Sequence, residues 1–372
     1  MEEKLTRFIG IDLAKRSYVA HVSFPDERKP EKFSGSTSRS GIERLIGRLG
    51  KDDRIAVECC SYAFFLAKEI IERVGCEVYV LNAGQLAIIY KSTKKTDLED
   101  AAKLSWILMR FPPEELPVVA LPDEKELHRR ALVSELGAKK KIRNKLINRL
   151  HSLYVRVGIT GLEKKDLKTV RARELNRCFL SSYTSFEALR IEEELELLER
   201  HIDVIEAEIA RDLTTEPLAE NLMSIPGVGP ATAMAFLAYV GDGSRFKNGR
   251  QVSHFVGITP RVDNSGETVR IGNITKRGCT AIRGIIVQSA WAAVHAKTDN
   301  PFRRKYLELV ERRGKGRAIV AIARRMLEVM WIVTTRNERY RWSSETMMMQ
   351  KRYQLSLKLK KAKILELGVL TN

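Results

Sequence analysis

The sequence predicts an α/β domain at the N-terminus, a charged helical hairpin in the middle and a mainly helical C-terminal domain. Three patterns predict it: short strands alternating with helices up to about residue 115, an apolar repeat from Ile191 to Ile209, and a Pro-Gly turn between apolar helical stretches at residues 224–233. In the first region Phe8–Ile11 and Tyr18–Val22 read as a strand pair. Gly41–Leu49 follows as a helix, Ile55–Glu58 as a strand, Ala63–Arg73 as a helix and Glu77–Leu81 as a strand. Leu98–Met109 closes the region as an amphipathic helix that Pro112-Pro113 terminates. A hairpin followed by alternating strand and helix gives a mixed sheet flanked by helices. The boundaries that follow are 1–120 for this domain, 121–215 for the helical region, 216–341 for the last domain and 342–372 for a basic tail.

In the middle region Ile191, Leu195, Leu198, Ile202, Ile205 and Ile209 form an a/d seam set among Glu and Arg. Leu146, Leu150 and Leu153 carry a similar stripe through a basic helix with Lys139, Lys140, Lys141, Arg143, Lys145 and Arg149. A long antiparallel helical hairpin fits both. The basic half reads equally as a solvated spacer or a binding arm, and the acidic half pairs with its hairpin partner or with another subunit.

Four carboxylates in the first hundred residues stand out: Asp12, Glu58, Asp97 and Asp100. Asp12 and Glu58 close short strands, while Asp97 and Asp100, three apart, lie where a helix starts and look out from one side of its first turn. Asp97 also reads as an ordinary helix N-cap. Strand ends and a helix start can converge on a point, where four carboxylates repel unless a divalent cation sits between them. Hard oxygen ligands of this kind suit Mg²⁺ or Mn²⁺, in the layout of a two-metal phosphoryl-transfer site. Glu2, Glu3, Asp26 and Glu27 lack such brackets and read as surface charge.

The formal charge of the 372-residue chain is +18, with 65 Lys and Arg against 47 Asp and Glu. That balance favours a polyanionic partner. No run of eighteen apolar residues is present to span a bilayer, and Met1-Glu2-Glu3-Lys4 lacks the character of a secretory signal, so nucleic acid in the cytoplasm is the expected setting. The five cysteines, Cys59, Cys60, Cys76, Cys178 and Cys279, show no zinc spacing and read as reduced thiols.

The last domain opens with Ser224-Ile225-Pro226-Gly227-Val228-Gly229-Pro230, a helix–glycine turn–helix signature. Gly227 and Gly229 either expose backbone N–H groups to a DNA phosphate or serve tight packing alone. Further on, Asn264-Ser265-Gly266 reads as a tight turn or hairpin tip amid Arg261, Arg270, Lys276, Arg277 and Arg283, cations able to hold a phosphate. By chemistry alone Ser265 is first an ordinary turn residue, since no neighbouring general base is evident and His254 is the nearest histidine. The tail holds Met347-Met348-Met349 and Lys358-Leu359-Lys360-Lys361 and reads as a flexible extension or a short docking helix.

In combination these marks resemble the DEDD transposases of bacterial insertion sequences, whose members include bridge-RNA-guided recombinases. The resemblance runs over about residues 7–340. It rests on Phe8-Ile9-Gly10-Ile11-Asp12-Leu13-Ala14-Lys15, Val57-Glu58 and Lys95-Thr96-Asp97-Leu98-Glu99-Asp100-Ala101, then on Ile225–Pro230, Phe255–Pro260, Ser265-Gly266 and Lys276-Arg277-Gly278, in that order. It implies a RuvC-like, ribonuclease H-related first domain with Asp12, Glu58, Asp97 and Asp100 as its acidic tetrad. It further implies a transposase domain in which Ser265 attacks a DNA phosphodiester, forming a phosphoserine link and freeing a 3′ hydroxyl. Also implied are donor and target DNA, a structured guide RNA, dimers and tetramers on DNA, sites shared between subunits, and a bacterial or archaeal, nucleoid-associated setting. One departure is Glu58-Cys59-Cys60-Ser61 where the family pattern has Glu-Ala-Thr-Gly, which removes a glycine beside the acid. Consistent with isoenergetic phosphodiester exchange, the chain has no ATP-binding P-loop. Two rival readings share much of this pattern: a metal-dependent junction nuclease that leaves Ser265 idle, and a non-enzymatic nucleic-acid scaffold.

Overall fold

A computed structural model describes residues 6–26, 28–82, 84–86, 96–265 and 268–370, the side chains of 262–265, 268–271 and 362–370 excepted. The chain forms two compact units, residues 1–123 and 124–372.

The first unit is built on a five-stranded sheet in the order β3-β2-β1-β4-β5. The central strand β1 (Phe8–Leu13) pairs antiparallel with β2 (Ser17–Ser23) and parallel with β4 (Arg54–Glu58). β3 (Glu31–Ser36) and β5 (Glu77–Leu81) are the edges. Because side chains alternate along a strand, the sheet has two faces. On one, Ile9, Ile11, Tyr18, Val22, Ile55 and Val57 pack under α1 (Arg39–Ile46) and α2 (Ala63–Val74), which contribute Leu45, Leu66 and Ile70. On the other, Ala56 and Leu81 meet Leu104, Ile107 and Leu108 of α3 (Asp97–Arg110). The mixed sheet and its helices fall where the alternation placed them. The addition is β3, whose polar Glu-Lys-Phe-Ser-Gly-Ser carries little apolar signal because it is an edge with only Phe33 packed inward.

The second unit is mainly helical. α4 (Glu124–Arg156) and α6 (Ser182–Thr215) run antiparallel, as the pairs Arg129–Asp212 (2.6 Å), Lys140–Glu206 (2.6 Å) and Arg156–Glu187 (2.5 Å) show, with α5 (Val170–Arg177) near their turn. The seam residues Ile191, Leu195, Leu198, Ile202, Ile205 and Ile209 are all buried within this unit, so of the two partners open to the seam it takes its own hairpin. At one end the hairpin has a small core of its own, including Leu150, Tyr154, Leu167 and Ile191. At the other it joins the core of α7 (Pro217–Met223), α8 (Pro230–Tyr239), α9 (Gly249–Val256), α10 (Thr280–Val294) and α11 (Pro301–Thr335).

The tail is the docking helix of its two expected forms. α12 (Glu345–Leu370) buries Met348 and Leu355 and pairs Lys358 with Glu206 (3.0 Å) and Lys361 with Asp203 (2.5 Å). Its Lys351 Nζ, pushed down to about 8 by burial, donates to the carbonyls of Met223 (2.5 Å) and Ile225 (2.9 Å), gripping the start of the Pro-Gly turn.

That turn depends on Gly227, which sits at φ +82°. A Cβ there would lie 2.3 Å from the Ser289 carbonyl oxygen and 2.7 Å from the Ala293 nitrogen, both α10 backbone. Gly227→Ala therefore combines a left-handed backbone with overpacking. Urea unfolding is expected to show a loss of about 2–4 kcal/mol, the sum of those two effects. An unchanged midpoint would mean the turn is not packed on α10 as described.

Candidate active site

The four carboxylates come together through two packing choices in the first unit. First, β1 and β4 are parallel with Gly10 opposite Ala56 and Ile11 opposite Val57, so Asp12 and Glu58 leave neighbouring strands side by side. By alternation Gly10, Asp12, Ala56 and Glu58 share the face covered by α3. Second, Gly10 lets α3 approach the sheet at backbone distance. A Cβ on Gly10 would sit 2.0 Å from the Ala101 carbonyl oxygen and 2.5 Å from the Ser105 nitrogen. Asp97 and Asp100 stand just before Ala101, so that contact carries the first turn of α3 towards Asp12.

The ordinary capping role open to Asp97 falls to Thr96, whose Oγ1 accepts from the Glu99 N–H at 3.3 Å. Asp97 is the first helical residue and exposed, free for another use. Lys95, one residue before this cap, lies outside the described residues. The missing glycine after Glu58 leaves no strain: Ser61 is not among the residues with left-handed φ. Beside Glu58, the Cys59 N–H donates to the Leu81 carbonyl at 2.8 Å, continuing the β4–β5 ladder past the acid.

Electrostatics links Asp12 to the other three. The Asp12 carboxyl is raised above its usual range, first by burial and then by the charges of Asp97, Asp100 and Glu58. Such repulsion at Asp12 is what a hard divalent cation relieves, and carboxylates are the donors it prefers. They do not form a closed cage: among the described residues no three His, Cys, Asp or Glu side chains group tightly enough to hold a metal ion. Asp100 Oδ1 is instead paired with Lys103 Nζ at 2.7 Å. The donor chemistry and the shared field fit a divalent cation; ligand geometry would need Asp100 to release Lys103.

In the second unit the serine loop is a two-stranded hairpin, β6 (Pro260–Ser265) and β7 (Thr268–Ile274). Ser265 ends β6 and pairs with Thr268 at the start of β7. The side chains of Ser265 and Arg270, and all of Gly266, lie outside the described residues. The hairpin base is clamped onto the end of α9: Thr275 N–H donates to Thr259 (2.9 Å) and Lys276 N–H to Gly257 (3.1 Å). Gly257 and Gly278 allow this. Added Cβ atoms would lie 2.3 Å from the Arg277 oxygen and 2.2 Å from the Phe255 oxygen.

The cations near Ser265 divide by use. Arg261, Lys276 and Arg277 are exposed, with Lys276 at φ +54° in the clamp. Arg283, expected on phosphate, is half-buried and engaged internally. Its guanidinium donates to the Val256 carbonyl (3.1 Å), the Lys276 carbonyl (3.2 Å) and Thr280 Oγ1 (3.2 Å). These bonds tie the hairpin base to the end of α9 and the start of α10. Of the two glycines in the Pro-Gly turn, Gly227 serves packing, whereas a Cβ on Gly229 would meet nothing within 4 Å. Gly229 is the residue that caps the start of α8.

Two functional features escaped the residue pattern. Gly10 looks like any strand glycine until α3 is seen against it. Arg283 looks like another loop cation because its carbonyl partners come from α9 and the 276 turn.

Comparison with known proteins finds family matches in both regions of the chain. Residues 9–158 match a transposase family model of DEDD, IS110 type, and residues 219–307 match the model described as Transposase IS116/IS110/IS902 family. A probable family 20 transposase of Pseudomonas aeruginosa is 26% identical over 348 residues, 90% of this chain and 98% of that protein. The transposase for insertion sequence element IS1328 of Yersinia enterocolitica is 25% identical over 88% of this chain and 96% of its own length. The transposase for insertion sequence element IS1111A of Coxiella burnetii is 39% identical over 124 residues, 33% of this chain and 34% of that protein. Among the described residues no helix is long and apolar enough to cross a membrane.

Proposed function

This chain belongs to the IS116/IS110/IS902 family of insertion-sequence transposases, enzymes that act on DNA, and we propose that it cuts and rejoins DNA through a serine intermediate. The observation that carries the proposal is the pairing of an acidic group, in which Asp97, Asp100 and Glu58 add to the burial that raises the Asp12 carboxyl, with a serine at the end of a clamped hairpin strand in the same chain. The first unit is read as a RuvC-like domain, on its strand order and the approach of α3 to the centre of the sheet. The second is read as a helical hairpin joined to a transposase domain.

In the proposed reaction Ser265 Oγ forms a bond to a DNA phosphorus while the P–O3′ bond breaks. The serine proton ends on the departing 3′ oxygen, and the DNA 5′ phosphate stays on the protein. A 3′ hydroxyl of a second strand then attacks the phosphoserine, re-forming a phosphodiester and restoring the serine. Arg261, Arg270, Lys276 and Arg277 hold the phosphates near the hairpin, with Arg283 keeping its base in place. Asp12, Glu58, Asp97 and Asp100 would hold Mg²⁺ or Mn²⁺, which when bound neutralises charge on the transferred phosphate. Gly229 at the start of α8 contributes a phosphate contact that reads no sequence.

Assembly belongs to the same reading. The heptad seam is closed inside the hairpin, but Phe179, Tyr183 and Phe186 near its α5–α6 end are 75%, 89% and 64% exposed and supply apolar surface for a second copy. In the dimers and tetramers proposed on donor and target DNA, the carboxylates of one subunit serve the serine of another. The +18 charge accommodates a structured guide RNA beside the DNA.

Subunit mixing tests this scheme. Ser265→Ala and Asp12→Asn proteins, each inactive in recombining paired donor and target DNA with Mg²⁺ and the element's transcript, are expected to regain activity together, to roughly a quarter of wild type if half the sites re-form in half the assemblies. Two variants that stay dead when mixed would exclude shared sites. Ser265→Ala that cleaves normally alone would favour the junction nuclease, and cleavage by both variants would leave only a scaffold.

A further inference from the structure

The longest helix of the second unit is broken in the middle, and the break is strongly basic. α11 runs Pro301–Thr335, but Gly314 stands at φ 73° and ψ 162°, so the helix is two segments meeting at a kink. Around it the sequence is Glu311-Arg312-Arg313-Gly314-Lys315-Gly316-Arg317, and all seven residues are exposed. Elsewhere on the same helix Lys305 pairs with Glu308 (2.6 Å) and Arg324 with Glu328 (3.2 Å). The side chains of Arg312, Arg313, Lys315 and Arg317 make no ion pair or hydrogen bond among the described residues. Glu311 is the single acid of the run.

Packing does not account for the run. Immediately after it Ala318, Ile319, Ile322, Ala323, Met326 and Leu327 are buried in the main core, which anchors the second segment and so fixes the kink. Added Cβ atoms on Gly314 or Gly316 would meet nothing within 4 Å, so the two glycines leave open space between the cations. A rigidly based, unpaired concentration of four cations with bare backbone between them suits a row of phosphates approaching closely.

We infer that the Arg312–Arg317 kink is a second nucleic-acid contact of the transposase, gripping the phosphate backbone of duplex DNA away from the serine hairpin and without reading sequence. Duplex DNA is favoured over single-stranded RNA because no aromatic side chain lies between Leu307 and Met330 on which an unstacked base could rest. The inference rests on the reading of the chain as a DNA-cutting transposase but not on Ser265 chemistry.

The test is the salt dependence of binding by the full chain to a 30-base-pair duplex, followed by anisotropy, beside an unstructured RNA of equal length. Combined Arg312→Gln, Arg313→Gln, Lys315→Gln and Arg317→Gln substitution is expected to lower the slope of log Kd against log salt by roughly 2–4, at about 0.9 for each phosphate no longer neutralised. Affinity for the duplex at 150 mM salt should fall at least about tenfold, the order expected when several phosphates go without a cation. The companion variant Arg312→Lys, Arg313→Lys, Arg317→Lys, which keeps every charge, should bind within about threefold of wild type, since the grip is electrostatic. An unchanged slope in the glutamine variant overturns the inference. So does a loss confined to the RNA, or a loss matched by the lysine variant, which would make the effect structural. Wild-type covalent capture of DNA, scored separately, reports on the serine reading whatever the slope does.

Discussion

Asp12→Asn is expected to reduce DNA strand cleavage by on the order of 10²–10³-fold, the loss typical when one charge-stabilising group leaves an active site. The same substitution should raise the thermal midpoint of the metal-free protein. The sign follows from the raised Asp12 carboxyl: burial and the neighbouring charges of Asp97, Asp100 and Glu58 disfavour its ionised form in the fold. A group raised on folding stabilises fully below its unfolded value, and that stability is lost as pH rises through the folded value. At neutral pH Asp12 is therefore a liability without a counter-ion, and Asn removes it. Mg²⁺ should raise the wild-type midpoint and have a smaller effect on Asp12→Asn. Thermal unfolding with and without Mg²⁺ checks both; a variant less stable than wild type in the absence of metal would show that burial and the neighbouring charges do not press on Asp12 as described.

The second large effect belongs to a residue with no side chain. Gly10→Ala places a Cβ 2.0 Å from the Ala101 carbonyl oxygen, a backbone atom that cannot swing aside. The first unit is expected to lose about 3 kcal/mol or more, at or above the upper end of overpacking costs. If α3 shifts away to make room, Asp97 and Asp100 move from Asp12 and cleavage falls with stability. Urea unfolding of the first unit, read beside activity at a temperature where the variant stays folded, separates the two. A variant that is folded and fully active would mean the approach of α3 at Gly10 does not position the acids.

Much of this was legible in the residues, for identifiable reasons. Asp12 and Glu58 close strands whose apolar runs mark them, and Asp97 and Asp100 open a helix with clear periodicity. What brings the four together was not legible, because it depends on parallel pairing of β1 with β4 and on the missing Cβ at Gly10, both long-range. β3 escaped notice because an exposed edge strand needs few apolar residues. The partner of the Ile191–Ile209 seam stayed open because a heptad pattern reports an apolar stripe and not which helix covers it; burial against α4 in the same hairpin decides it. The docked tail helix was equally open, since its attachment through Lys351, Lys358 and Lys361 uses charges that in sequence resemble any basic extension. Arg283 shows what a pattern of loop cations leaves out: the fold also uses it to bond carbonyls.

The most direct measurement is covalent capture. Purified protein with Mg²⁺, element-end DNA labelled on the strand that keeps the cut 5′ phosphate, and the flanking transcript would be quenched in denaturant and resolved on a denaturing gel. The account predicts a labelled protein–DNA adduct that survives denaturation, disappears in Ser265→Ala and maps by mass spectrometry to the peptide containing Ser265. Cleavage without any adduct, unaltered in Ser265→Ala and abolished in Asp12→Asn, would contradict it and leave a metal-dependent nuclease in its place.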